Sequence, residues 1–204
     1  MASSRGRRPA AAAAVVIGCL VSVMGCTVTS DGDSSVSGTV DDPTSWDLAT
    51  PPSRSDVGMP ADQSVAVYET EDGRDVTFRL PEDTVLDVQA RLVTFDSFTR
   101  PDPATGDPSK VVATSPLVDL DTGEQWFRET LAALGLPADE VPRWRRAAER
   151  AVATGSAEAV QSLPVDGSLG YLRTAVQARF APLDEKVRVD WTLTWGPQPR
   201  HAAR

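Results

Sequence analysis

The sequence predicts an α+β domain, an antiparallel sheet with two or three central helices packed on one face, and three observations carry that expectation. Residues 187–195 alternate without interruption: Val187, Val189, Trp191, Leu193 and Trp195 are set against Arg188, Asp190, Thr192 and Thr194, the two-residue period of a half-buried strand. Residues 122–154 instead space apolar side chains by three and four. Phe127, Leu131 and Leu134 share one stripe and Val141, Trp144, Ala148 and Val152 another, as in two amphipathic helices. Strand patterns come first and last with helical patterns between them, an order that segregates helices to one side of a sheet.

The elements follow in order. Residues 64–70 alternate around Val65 and Val67, Glu71, Asp72 and Gly73 form an acidic turn, and Val76, Phe78 and Leu80 alternate again; the spacing predicts a hairpin. Residues 84–98 are a longer strand. Leu86, Val88, Ala90 and Leu92 face one way before the phase slips to Val93 and Phe95, which calls for a bulge or a bend. Residues 101–108 are a loop. Residues 111–120 form a further strand broken by Pro116, and a proline, having no N–H to give a ladder, places it at an edge or splits it in two.

In the middle, Thr122 with Gln125 makes a capping box, and Gly135, Leu136 and Pro137 make a Schellman-type stop. A second helix runs over 139–154 and ends at Gly155; Ser156 caps a short third that reaches Leu163 before Pro164. Asp166 and Gly167 form a turn. Residues 171–180 fit both periods, and the short 181–186 connection favours a hairpin with the last strand, with Trp191 and Trp195 facing the helices. The run Val88, Gln89, Ala90, Arg91 recurs at 176–179, and Asp96 matches Asp184 at the same offset, which favours strand at both places.

Composition narrows the chemistry. The 204 residues carry 20 Lys+Arg against 29 Asp+Glu, a formal charge of −9, and beyond the first ten residues there is no basic tract, so nucleic acid is not an expected partner. His201 is the single histidine, which excludes histidine triads and His-rich zinc sites. Cys19 and Cys26 both lie in the first 26 residues, leaving no disulfide framework and no structural Cys cluster. The sequence assigns no metal and no cofactor.

The N-terminus is the most specific feature. Arg5, Arg7 and Arg8, with no acid among them, precede an apolar run over 10–25 broken only by Gly18, Cys19 and Ser22, the charged and hydrophobic regions of a secretory signal. Val23, Met24, Gly25 and Cys26 follow. This segment resembles bacterial lipoprotein precursors, whose lipobox sets a branched apolar residue and a small residue ahead of an obligatory cysteine. Val16, Ile17, Gly18 and Cys19 fit the same pattern, but Cys19 is followed by apolar residues and Cys26 by the polar 27–38. Cys26 is therefore the residue expected to be lipidated, and the resemblance implies a thioether-linked diacylglyceryl group, cleavage before Cys26 and acylation of the new α-amino group. Arginine outnumbers lysine 18 to 2, which resembles high-GC bacterial coding.

The domains expected are a signal peptide over 1–25, a lipidated cysteine and disordered tether over 26–62, one α+β domain over 63–197 and a tail over 198–204. Seven Asp, one Arg and Pro43, Pro51, Pro52 and Pro60 make 27–63 too poor in apolar surface to offset chain entropy. Trp46 and Leu48 stand in its middle, read as incidental, with docking onto a partner or onto the domain as the alternative.

Candidate sites are few. Asp119, Asp121 and Glu124 around Gly123 have the carboxylates a calcium loop needs, but acids at a helix N-terminus are the simpler reading. Glu69, Glu71, Asp72 and Asp75 form a solvated acidic cluster. Arg143, Arg146 and Arg150 lie on one helix face, where forked hydrogen bonds can hold carboxylates or an anionic polymer. Trp191 and Trp195 can stack on sugars, but their aliphatic neighbours make them core. The function expected is a lipid-anchored envelope protein with a non-enzymatic domain that binds a partner protein or a small ligand. A carboxylate-dependent hydrolase of envelope polymers is the alternative.

Overall fold

The computed structural model describes residues 37–39, 42–97 and 106–196. The signal segment, Cys26, the first part of the predicted tether, most of the 101–108 loop and the 198–204 tail lie outside the described residues. Nine strands form one sheet: β1 (Ser37–Thr39), β2 (Asp42–Asp47), β3 (Val65–Arg79), β4 (Val85–Asp96), β5 (Lys110–Thr114), β6 (Val160–Gln161), β7 (Val165–Leu169), β8 (Leu172–Ala181) and β9 (Lys186–Trp195). Their order is β1-β2-β3-β4-β5-β9-β8-β6, with β7 also paired to β8. Helices α1 (Leu120–Ala133) and α2 (Glu140–Thr154) complete the described elements, so the class is α+β with two helices and a mostly antiparallel sheet.

The sheet is mixed, because β2 runs parallel to β3, pairing Trp46 with Phe78. This corrects both the all-antiparallel expectation and the domain boundary at residue 63. Trp46, Leu48, Val57 and Met59 are all buried in the common core. Trp46 lies 5.4 to 5.7 Å from the rings of Tyr68, Phe78 and Phe95. The Tyr68 hydroxyl donates to the Val57 carbonyl at 2.6 Å, and burial pushes its pKa up. Arg54 donates to the carbonyls of Gly106 (2.8 Å), Pro60 and Gln63. Four large apolar side chains and one multiply bonded guanidinium hold a segment whose average composition is that of a stalk.

The predicted hairpin over 64–80 is one continuous strand, and residues 70–73 form a bulge opposite Arg91 alone. Gly73, at φ +80, brings its backbone against Pro116, and a Cβ there would stand 2.9 Å from Cγ of that ring. The hairpin turn lies further on, where the Thr84 N–H meets the Pro81 carbonyl around Glu82 and Asp83, both left-handed at φ 61 and 56. That is the handedness of a two-residue mirror-image turn. The phase slip in β4 falls beside the bulge: Leu86, Val88 and Ala90 are buried, then Val93 and Phe95.

Strand β5 is central, between β4 and β9, which corrects the edge reading of Pro116. The strand stops before the proline, and Val118 then makes a single bridge to Val187. Asp119, not Thr122, caps α1: its carboxylate accepts from the Thr122 N–H at 2.9 Å and the Thr122 hydroxyl at 2.8 Å, which holds it below the usual carboxylate range, the backbone bond first. The Schellman stop is present, with Leu136 N–H to the Leu131 carbonyl at 2.7 Å and Gly135 N–H to Ala132 at 3.1 Å. The third helix is absent from residues 156–163. Ser162 instead exchanges bonds with Ala178 through its own N–H and hydroxyl, so β8 captures the segment as β6, while Asp166 and Gly167 lie inside β7.

Strands β8 and β9 pair over Leu172↔Trp195 to Ala181↔Lys186, and α1 packs on both. Trp191 and Trp195 are 1% and 3% exposed, and Trp191 Nε1 donates to Thr130 Oγ1 on α1 at 3.1 Å. Phe127 and Trp144 meet edge to face at 6.0 Å between the helices.

Candidate functional site: a cleft beside the first helix

Helix α1 buries Phe127 and Leu131 completely, because the 3.6-residue period turns both toward the sheet. Residues on its neighbouring flank, Trp126, Glu129 and Ala133, overlook β3 and β4, and a cleft of about 470 Å³ opens there. Val76, Leu86, Val88 and Trp191 give it an apolar lining. Trp191 is fixed in that wall by its bond to Thr130, whereas Trp126 is only part-buried.

The same cleft is lined by Asp75, Asp87 and Glu129, and by no Lys or Arg among the described residues. Each carboxylate is exposed and accepts from a neutral donor: Asp87 from the Thr77 hydroxyl at 2.6 Å, Glu129 from Gln125 at 2.8 Å, and Asp75 from Gln89. An indole beside an acidic rim over an aliphatic floor suits a part-apolar group that is neutral or positively charged. A carboxyl general acid, by contrast, depends on an enclosed apolar setting, and these three side chains face water.

A second groove, also about 470 Å³, lies along β4, β5, β8 and β9, with Arg91, Lys110, Thr114 and Asp190 among its lining. Its charges largely answer one another: Arg188 meets Asp190 at 3.1 Å and Arg91 meets Glu69 at 3.1 Å. It has the character of a solvated sheet face.

The sequence-predicted residues distribute as follows. Arg143, Arg146 and Arg150 share the exposed side of α2 and do not line the cleft. Asp121 and Glu124 turn to Arg145, at 2.6 and 3.2 Å, and Glu149 joins them at 2.8 Å; these carboxylates, Glu149 foremost, hold the Arg145 guanidinium above its ordinary pKa. Among the described residues no group of three or more His, Cys, Asp or Glu is arranged to hold a metal ion. Trp191 and Trp195, being buried, present no stacking surface for sugars. Cys26 lies outside the described residues.

Sequence reasoning missed Trp126 and Arg145. Trp126 directly precedes the first residue of the buried stripe, so it sits at the stripe's margin, where an aromatic ring is half covered and half available. Arg145 stands four residues before Glu149, a helical pairing distance. No protein-family model matches this chain, and no curated protein or solved structure does so.

Proposed function

We propose that the chain is the precursor of a lipid-anchored protein, held at the cell membrane and facing outside the cytoplasm, whose domain binds a partner protein or small ligand at the cleft beside α1. The observation that carries the reading is the lipobox, Val23 to Cys26, behind a basic and then apolar leader. Cleavage before Cys26 removes three arginines and no acid, so the mature balance is 17 − 29 = −12. Each buried methylene contributes roughly 0.8 kcal/mol, and two or three acyl chains together give stable anchoring where one is marginal. Binding is favoured over hydrolysis because the carboxylates at the cleft are exposed while its floor is apolar.

Mass spectrometry of the protein extracted from membranes tests the anchor. The N-terminal peptide is expected to begin at Cys26 with a diacylglyceryl adduct, and Cys26→Ser is expected to abolish it. A terminus at Cys19, or an unmodified Cys26, overturns the reading. Tetrabutylammonium, a hydrophobic cation, tests the cleft: it is expected to change the tryptophan emission of the wild type and to have no effect on Trp126→Leu.

A further inference from the structure

We infer that the outer face of α2 docks on the anionic lipid surface of the membrane to which Cys26 is anchored. The inference rests on the lipid-anchored reading and concerns how the anchored domain lies. Arg143, Arg146 and Arg150 recur at spacings of three and four and are all exposed, so their guanidinium groups form one stripe along the helix. Glu140 answers Arg143 at 3.2 Å and Glu149 is held by Arg145 at 2.8 Å. Arg146 and Arg150 make no ion pair with any described residue. Like charges at this spacing weaken a helix, and within the stripe only Arg143 is answered by an acid of α2.

An exposed aliphatic side chain adjoins the stripe. The Leu163 N–H donates to Glu140 Oε1 at 2.9 Å, which sets Leu163 beside Arg143 with 61% of its surface exposed. Arginines beside an exposed aliphatic group suit a helix face at a lipid interface. The mature body carries −12 and is repelled by anionic lipid. On this face the local charge is reversed, and an anchored domain meets the surface at high effective concentration, so weak attraction per arginine suffices.

The reach is adequate. Helix α2 packs on β6, at the opposite edge of the sheet from β1. Eight strands spaced at about 4.8 Å span about 34 Å, and the chain from Cys26 to Ser37, fully extended, spans up to about 40 Å. The domain can therefore rest on α2 while its β1 edge is lifted.

The test uses the lipidated protein with Ala153→Cys, the only free thiol once Cys26 is acylated, labelled with a fluorophore and reconstituted in vesicles containing a nitroxide headgroup lipid. Quenching is expected to be several-fold stronger in phosphatidylglycerol–phosphatidylcholine vesicles than in phosphatidylcholine alone, and to fall at high salt. Replacing Arg143, Arg146 and Arg150 together by Gln is expected to abolish the difference, and replacing them by Lys to preserve it. Melting of both variants checks that they fold. Protein that floats with the vesicles but is quenched equally in both lipids overturns the orientation alone, as does a difference that survives the Gln variant, or one lost in the Lys variant, which keeps the charge that the anionic surface is expected to attract. Failure to float overturns the anchor as well.

Discussion

The β8–β9 hairpin and the strap over residues 43–63 contribute to the same core by different means. In the hairpin every second residue of a ten-residue strand is buried, Val187 through Trp195, so burial is spread along a regular pattern. In the strap, burial is concentrated in Trp46, Leu48, Val57 and Met59, and prolines and aspartates fill the rest. Two apolar pairs, each two residues apart, seat the strap against β3 and β4. Average polarity measures how a segment behaves alone, whereas a few large side chains decide whether it finds a pocket.

The largest effect should come from the hairpin. Trp191→Ala is expected to cost about 3–5 kcal/mol, because the cavity lies between sheet and helix and cannot collapse, and chemical denaturation should show one shifted global transition. Trp46→Ala removes a ring of the same size, but the strap can detach while the rest stays folded. Amide exchange over 43–63 should accelerate far more than exchange in β8 and β9; equal acceleration in both regions would erase the distinction. The Phe variants sharpen it. Trp191→Phe loses the bond to Thr130, worth about 1 kcal/mol, whereas the Trp46 Nε1 is buried without a partner among the described residues, so Trp46→Phe should be the milder change.

A smaller effect is expected where helix and hairpin touch. Gly123 lets α1 approach β9 so closely that an added Cβ would lie 2.4 Å from Val187 Cγ1. Gly123→Ala should therefore cost about 1–3 kcal/mol through overpacking, read as a lower melting temperature, and Val187→Ala in the same chain should recover part of it.

The helix surface should matter least. Arg145→Gln removes the link between the start of α1 and α2, yet its partners Asp121 and Glu149 are mostly exposed, so a loss of no more than about 1 kcal/mol is expected, diminishing in salt. Asp119 adds a pH signature. Its folded pKa lies below its unfolded value, so its contribution is present above the ordinary carboxylate range and is lost as pH falls through the folded value. Protection of the Thr122 amide relative to its intrinsic exchange rate should fall on acidification, and Asp119→Asn, still a cap, should remove that acid dependence.

Local periodicity made much of this fold legible. The strict alternation of 187–195, the stripes of both helices, the Schellman glycine and the slip between Ala90 and Val93 each express constraints within a few residues, and the α+β class with helices between strands follows from their order. Where a segment's structure depends on a distant neighbour, the reading failed. Residues 156–163 carry a helix cap and are followed by Pro164, but pairing of Val160 and Gln161 with Phe180 and Arg179 draws the segment to the sheet as the short strand β6. Glu71, Asp72 and Gly73 have turn composition, yet Ala90, Arg91 and Leu92 across the sheet hold them as a bulge. The true turn at Glu82 and Asp83 has no glycine to announce it.

The candidate site divides the same way. Arg143, Arg146 and Arg150 were visible as a stripe because helix geometry relates them directly. The cleft was not, since Trp126, Leu86 and Asp87 are brought together only when α1 settles across β4. Amino-acid order fixes what is periodic and local: strand faces, helix faces and the Schellman stop after α1. Docking fixes what is shared, including the burial of Trp46, the place of β5 at the centre and the opening beside α1, because each depends on free energy gained between segments far apart in the chain, which no window of neighbouring residues contains.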